Sequence, residues 1–153
     1  MSLRNWDNKT WLSSKRYIRS FNNFLLKQVK LNRNSKILDI GCGRGKILGS
    51  LSSRLKLKSK PIGIDIERHK DRDRRIHFKK VNAIDFIKKN KKKFDLIMIK
   101  QTIHLFKYQE IKKLIYACKM QLNQNGKILI LSLETSNNEI PTFLLMKKKL
   151  KKS

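Results

Sequence analysis

The residues best suited to chemistry lie together at Lys36-Ile37-Leu38-Asp39-Ile40-Gly41-Cys42-Gly43-Arg44-Gly45, where an apolar run ends in three glycines spaced by two. A carboxylate, Asp39, stands two positions before the first glycine. Glycine tolerates the backbone of a sharp turn and lets main chain approach a ligand closely, and a helix starting behind such a turn presents unpaired N–H groups. The pattern is that of a loop for a nucleotide-type cofactor, or else of a tight strand-to-helix turn that holds nothing. A dinucleotide loop needs its third glycine three residues after the second, but Lys46 stands there and Gly45 comes two after Gly43. A second apolar run, Ile62-Gly63-Ile64, ends in Asp65 twenty residues beyond Gly45, with Ile66 and Glu67 next. Of only eleven acids in the chain, Asp39, Asp65 and Glu67 thus fall at the ends of the first two apolar runs, where they concentrate negative charge.

The elements that must position these residues follow from periodicity. Strand signals run over Lys36–Ile40, Pro61–Asp65, Ile76–Val81, Phe94–Ile99 and Lys127–Leu133, and helical patterns over Lys46–Leu55, Ile84–Lys91, Gln109–Leu122 and Ile140–Lys151. Upstream, Trp11, Tyr17, Ile18, Phe21, Phe24, Leu25 and Val29 recur at three- and four-residue steps, predicting one or two helices over Asp7–Val29 with Ser13 or Ser14 as cap. Gly126, after Asn123-Gln124-Asn125, marks a helix stop and turn. The stretch from Ile66 to Arg75 is mostly charged and barely long enough for a crossover helix, so it reads as a short basic loop. Alternating strands and helices mean a parallel sheet covered on both faces.

The loop resembles the first motif of the class I S-adenosylmethionine-dependent methyltransferases, an acid, any residue, then Gly-x-Gly-x-Gly, matched by Asp39, Gly41, Gly43 and Gly45. The resemblance spans about Lys36 to Leu133 and implies an α/β fold: a three-layer Rossmann-like sandwich with a mainly parallel sheet. The family's terminal antiparallel hairpin has no evident sequence, so five strands or a truncated sheet are expected. One methyltransferase domain over 1–153 is expected, with an N-terminal helical cap at 1–33, a cofactor-binding core at 34–135 and a C-terminal basic helix at 136–153.

The same resemblance implies a cofactor site for S-adenosylmethionine built from Asp39, Gly41, Cys42, Gly43, Gly45, Asp65, Ile66, Asn82, Ala83 and Lys100, and no metal. Asp39 is expected toward the methionine ammonium. Asp65 is expected to accept hydrogen bonds from a ribose diol, with turn capping as its alternative, and Ile66 to pack on adenine. At Val81-Asn82-Ala83, Asn82 replaces the family's usual acid, and its amide oxygen can still accept from the adenine amine. Asp85 is expected to cap the following helix.

The exit of the fourth strand, Lys100-Gln101-Thr102-Ile103-His104-Leu105, faces the methyl group in the family. It lacks the Asn/Asp-Pro-Pro-aromatic clamp of amino-directed nucleic-acid enzymes, and neither Cys42 nor Cys118 is placed as the nucleophile that cytosine-C5 transfer needs. A histidine before an apolar residue suits the small-molecule group. His104 is the candidate base and Lys100 a candidate for orienting an anionic substrate. Their alternatives are a helix-start hydrogen bonder and a solvated loop lysine.

Charge bounds the partners. The 153 residues carry 38 Lys and Arg, for a formal net charge of +27. Such a field favours polyanions without saying which, so RNA and an anionic membrane surface stand beside a small or lipid-like acceptor. A basic proteome with lysine as a cheap surface residue would give the same balance. Two cysteines without metal spacing and no signal-like or membrane-spanning run point to the cytoplasm. Three function classes result: transfer of a methyl group to a small or lipid-like acceptor, transfer to RNA, and a cofactor- or nucleic-acid-binding module without turnover.

Overall fold

The computed structural model describes residues 15–100, 106–133 and 141–147. In chain order the elements are α1 (Lys15–Gln28), β1 (Ile37–Ile40), α2 (Lys46–Leu55), β2 (Ile62–Asp65), β3 (His77–Lys80), α3 (Ala83–Lys89), β4 (Phe94–Lys100), α4 (Tyr108–Met120), β5 (Leu122–Leu133) and β6 (Pro141–Lys147). One six-stranded sheet has the order β3-β2-β1-β4-β5-β6. Its first five strands are parallel, and β6 runs antiparallel to β5.

Central strands of a parallel sheet are buried on both faces and therefore read as unbroken apolar runs. All four residues of β1 are buried, as are all of β4 but Asp95. At the edge, β3 is His77-Phe78-Lys79-Lys80 and largely exposed, its lysines discouraging further strand pairing. Side chains alternate across the sheet and build two cores. Leu38, Ile40, Ile97, Ile99, Ile128 and Ile130 pack with α3 and α4, whereas Ile37, Leu96, Met98 and Leu129 pack with α1 and α2 through Phe21, Leu25, Leu48 and Leu51. This is the expected three-layer Rossmann-like sandwich. The loop 66–76 contains no helix, as its composition requires.

The C-terminal basic helix expected over 136–153 is corrected: Pro141–Lys147 is a strand, registered on β5 from Lys127↔Lys147 to Leu133↔Pro141. A short apolar run such as Phe143-Leu144-Leu145-Met146 satisfies helical and extended patterns alike, and the open edge of β5 decides between them by offering unpaired N–H and C=O groups. The sheet therefore has an antiparallel strand where none was expected. At the other end of β5, residues 123–126 bulge between the pairs Phe94↔Leu122 and Leu96↔Lys127, with Asn125 at φ 65°. That bulge is the turn signalled by Gly126, placed inside the strand rather than before it. Among the described residues, no helix is long and apolar enough to cross a membrane.

The sheet order reverses between β1 and β4, whose connections lead to opposite sides. In open α/β sheets, ligands bind outside the carboxyl ends of the strands at such a switch point. Gly63 on β2 has a part in shaping this edge: a Cβ there would stand 2.9 Å from Cys42 Sγ and 3.0 Å from Ile76 Cδ1. Gly63→Val is expected to lower unfolding stability by about 2 kcal/mol through overpacking, measured by urea denaturation.

Candidate functional site

Register alone brings the first charges together. Asp39 pairs with Gly63 on β2 and Met98 on β4, so Asp65 and Lys100 each lie two residues past its partner, on the same face of the sheet. Lys100 Nζ stands 2.8 Å from Asp39 Oδ2. Asp39 is fully buried, and Lys100 is 8 % exposed. The contact is a close charge pair rather than a regular hydrogen bond, and Oδ1 has no partner among the described residues. Burial raises the Asp39 carboxyl from its ordinary value; Lys100 pulls it back down, and the neighbouring Asp65 carboxylate pushes it further up.

The glycine loop closes over this group. Gly41, Gly43 and Gly45 take φ of 76°, 54° and 74°, a region that only glycine enters cheaply. The N–H groups of Gly41 and Cys42 donate to the carbonyl of Ile64, at 2.9 and 3.0 Å, fastening the loop to β2. Gly43 N–H donates to Asp65 Oδ2 at 2.8 Å, and Glu67 N–H to Asp65 Oδ1 at 3.0 Å. Asp65 therefore does the turn-holding work, and its remaining lone pairs leave capacity for a diol. Arg72, from the basic loop, completes the clamp: Nε donates to the Gly43 carbonyl at 3.1 Å and Nη2 to that of Glu67 at 3.0 Å. Its guanidinium lies 3.0 Å from the centroid of the Phe78 ring. Burial lowers the Arg72 guanidinium from its usual value.

Several residues were not legible as parts of this site. Arg72 and Asp73 belong to a stretch readable only as basic loop, yet Asp73 is buried, accepts from Arg75 Nη2 at 2.7 Å and donates its own N–H to the Arg44 carbonyl at 2.9 Å. Arg44 in turn pairs with Asp71 at 3.4 Å. The signal was the alternation Asp71-Arg72-Asp73-Arg74-Arg75, which lets a loop satisfy its own charges.

The other expected residues are placed as follows. Cys42 is buried, its thiol pushed up to about 12 chiefly by burial, so it is no nucleophile at neutral pH. Ile66 is exposed at the sheet edge beside Asp65, available for packing. Asn82 caps α3, its Oδ1 accepting from Asp85 N–H at 2.8 Å and its Nδ2 donating to Asp85 Oδ2 at 2.9 Å. The cap expected of Asp85 thus belongs to Asn82, because the amide sits one residue before the helix and the carboxylate inside its first turn. Ala83 is packed in the core with Phe86 and Ile87. Lys100, far from a solvated loop lysine, ends β4. Glu67 turns outward, 3.9 Å from His69 Nε2. His104 lies outside the described residues, as do Ser13 and Ser14.

These groups fit the S-adenosylmethionine that the motifs imply. The orphan oxygen of Asp39 suits the ammonium and Lys100 the carboxylate of an amino-acid end; Asp65 suits a ribose diol, and Ile66 a flat ring.

Comparison with known proteins agrees. The sequence profile of a family described as a methyltransferase domain matches residues 31–152. No curated protein sequence matches the chain. Among solved structures, the plantazolicin methyltransferase BpumL in complex with SAH is similar at TM-score 0.66 and 26% identity, over 86% of this chain and 51% of that one. A SAM-dependent methyltransferase from Archaeoglobus fulgidus shares the fold at TM-score 0.63 and 24% identity, over 78% and 54%. An O-methyltransferase family protein from Burkholderia thailandensis does so at TM-score 0.57 and 20% identity, over 83% and 44%. The chain spans about half the length of these structures.

Lys100→Met would strand a buried carboxylate. The stability deficit expected at neutral pH is about 3 kcal/mol. Because burial raises Asp39 in the fold, the folded chain keeps this proton where the unfolded chain has already released it, and the charged form is the costly one. The deficit should therefore shrink as pH falls toward the ordinary carboxylate range and Asp39 takes up its proton. Urea denaturation of both proteins as a function of pH measures this.

Proposed function

This chain belongs to the methyltransferase-domain family, and on that premise we propose that it transfers a methyl group from S-adenosylmethionine to a small-molecule or lipid-like acceptor. One observation carries the reading: at the switch point of the sheet, under a three-glycine loop, a buried carboxylate with an orphan oxygen stands beside a buried lysine. The two present opposite charges side by side, which matches the zwitterionic end of an amino-acid cofactor. A carboxylate kept only for an ion pair has no need of an unsatisfied oxygen, and a ligand ammonium would give this one a partner.

The cofactor, when bound, supplies an electrophilic methyl group whose bond to sulfur breaks as the bond to the acceptor forms. What the chain contributes is position and exclusion of water. Asp39 and Lys100 anchor one end of the cofactor, while Asp65 and Ile66 hold the other. Arg72 and Asp65 keep the Gly43 backbone in place between them. An acceptor hydroxyl or amine must lose a proton, and His104, four residues past Lys100, is the proposed base. BpumL, similar in fold, was solved with azole-containing desmethylPZN analogues, which favours a small acceptor here. The +27 charge favours RNA as the second reading.

Transfer of isotopically labelled methyl groups to a panel of small acids, amines and lipids, with RNA alongside, tests the proposal. Incorporation into a small or lipid-like acceptor is expected, with His104→Gln slower by about a hundredfold in kcat but unchanged in affinity for S-adenosylhomocysteine. Labelling of RNA alone would move the acceptor to the second reading, and labelling of nothing while the cofactor binds would make the chain a module without turnover.

A further inference from the structure

Beyond the glycine loop, α1 and α2 pack against each other, and between them lies an open groove of about 640 Å³. Lys15 and Arg19 from α1, Lys46 and Arg54 from α2, and Arg75 from the basic loop line it, together with Asn22. Lys46, Ser50 and Arg54 are spaced by four and share one stripe of α2, about 12 Å from end to end at the rise of an α-helix. The core side of α2 is a different stripe, Ile47, Leu48 and Leu51, so the cations are not there to support packing. Asp73 is the carboxylate beside them, and it is committed to Arg75 through Nε at 2.9 Å and Nη2 at 2.7 Å. Lys15, Arg19, Lys46 and Arg54 have no ion-pair partner among the described residues.

A second observation is independent of charge. Asn22 is 1 % exposed, and neither its Oδ1 nor its Nδ2 has a partner among the described residues. Leaving a buried amide unpaired costs about 1–3 kcal/mol, and a helix covering a sheet has no use for it. Asn22 lines the groove of cations, and its Nδ2 is a donor without an acceptor among the described residues.

We propose that the α1–α2 groove binds phosphate groups, with the Arg19 and Arg54 guanidinium forks and the Lys46 ammonium meeting the charge and Asn22 donating to an oxygen. Phosphate is the anion that uses this set: it carries more than one charge and several acceptor oxygens, which planar guanidinium forks engage in pairs. Among the described residues the groove is lined by no aromatic side chain, and its cations are what would recognise a ligand, through its phosphates. The site is separate from that proposed for the cofactor, and its test reads no methyl transfer.

The probes are sodium pyrophosphate and a single-stranded oligouridylate, titrated at fixed salt into the full chain. Arg19→Gln combined with Arg54→Gln removes two charges from the groove, and Lys88→Gln combined with Lys89→Gln removes two exposed charges from α3. The groove variant should bind at least one probe about tenfold more weakly, and the α3 variant less than about twofold. Asn22→Leu should weaken binding severalfold without lowering the thermal midpoint, since it also removes an unpaired amide. Binding of pyrophosphate as well as of the oligonucleotide identifies a free phosphorylated ligand as sufficient; binding of the oligonucleotide alone identifies a phosphodiester strand. The proposal is overturned if neither probe binds, if the two charge-matched variants weaken binding equally, or if Asn22→Leu leaves affinity unchanged.

Discussion

Asp39, next to last in β1, and Lys100, last in β4, lie on the two central strands on either side of the point where the sheet order reverses, and each makes the other's burial tolerable. A lone carboxylate there would be driven to its neutral form, and a lone ammonium would have no counter-charge. Together at 2.8 Å they hold charge in a place from which water is excluded, while one oxygen stays unsatisfied. Such a pair is weak evidence for stability, since apolar residues could fill the same volume. Under the proposed function it is a polar floor for a ligand that carries both signs of charge.

The loops above that floor cover it with backbone rather than with side chains. Three glycines in left-handed conformations let the chain turn without side chains over Asp39, and a fourth, Gly63, leaves room on β2 for the Cys42 side chain. Gly49 does the same beneath the basic loop, where a Cβ would collide with the Asp73 carboxyl. The loop itself is held by its own ion pairs, Arg75 with Asp73 and Arg44 with Asp71. Arg72 then ties it to the Gly43 carbonyl. Charge in this loop is therefore structural near the site and solvated only farther out.

Much of this was legible in the sequence, for physical reasons. Buried parallel strands are continuous apolar runs, so β1, β2 and β4 stand out, and a glycine run after the first of them has few uses. The places where the reading failed were those set by tertiary partners. Pro141–Lys147 has no local feature that distinguishes strand from helix, and only the free edge of β5 decides. Lys100 was singled out by its place at the exit of the fourth strand, but its pairing with Asp39 follows only from register, which sets it two residues past Met98. The cap expected of Asp85 fell to Asn82 because a cap depends on where a helix begins, and that boundary is the least determined part of a sequence reading. Arg72 acts through the three-dimensional path of a loop, which periodicity does not describe.

The central claim is that the carboxyl edge of β1 and β4 holds S-adenosylmethionine through Asp39. Calorimetric titration with S-adenosylhomocysteine tests it most directly, on the intact chain and on Asp39→Asn, with circular dichroism establishing that the variant is folded. The account predicts micromolar binding to the intact chain and affinity at least about tenfold weaker in the folded variant. Absence of binding to the intact chain, or equal affinity in the two proteins, would contradict it.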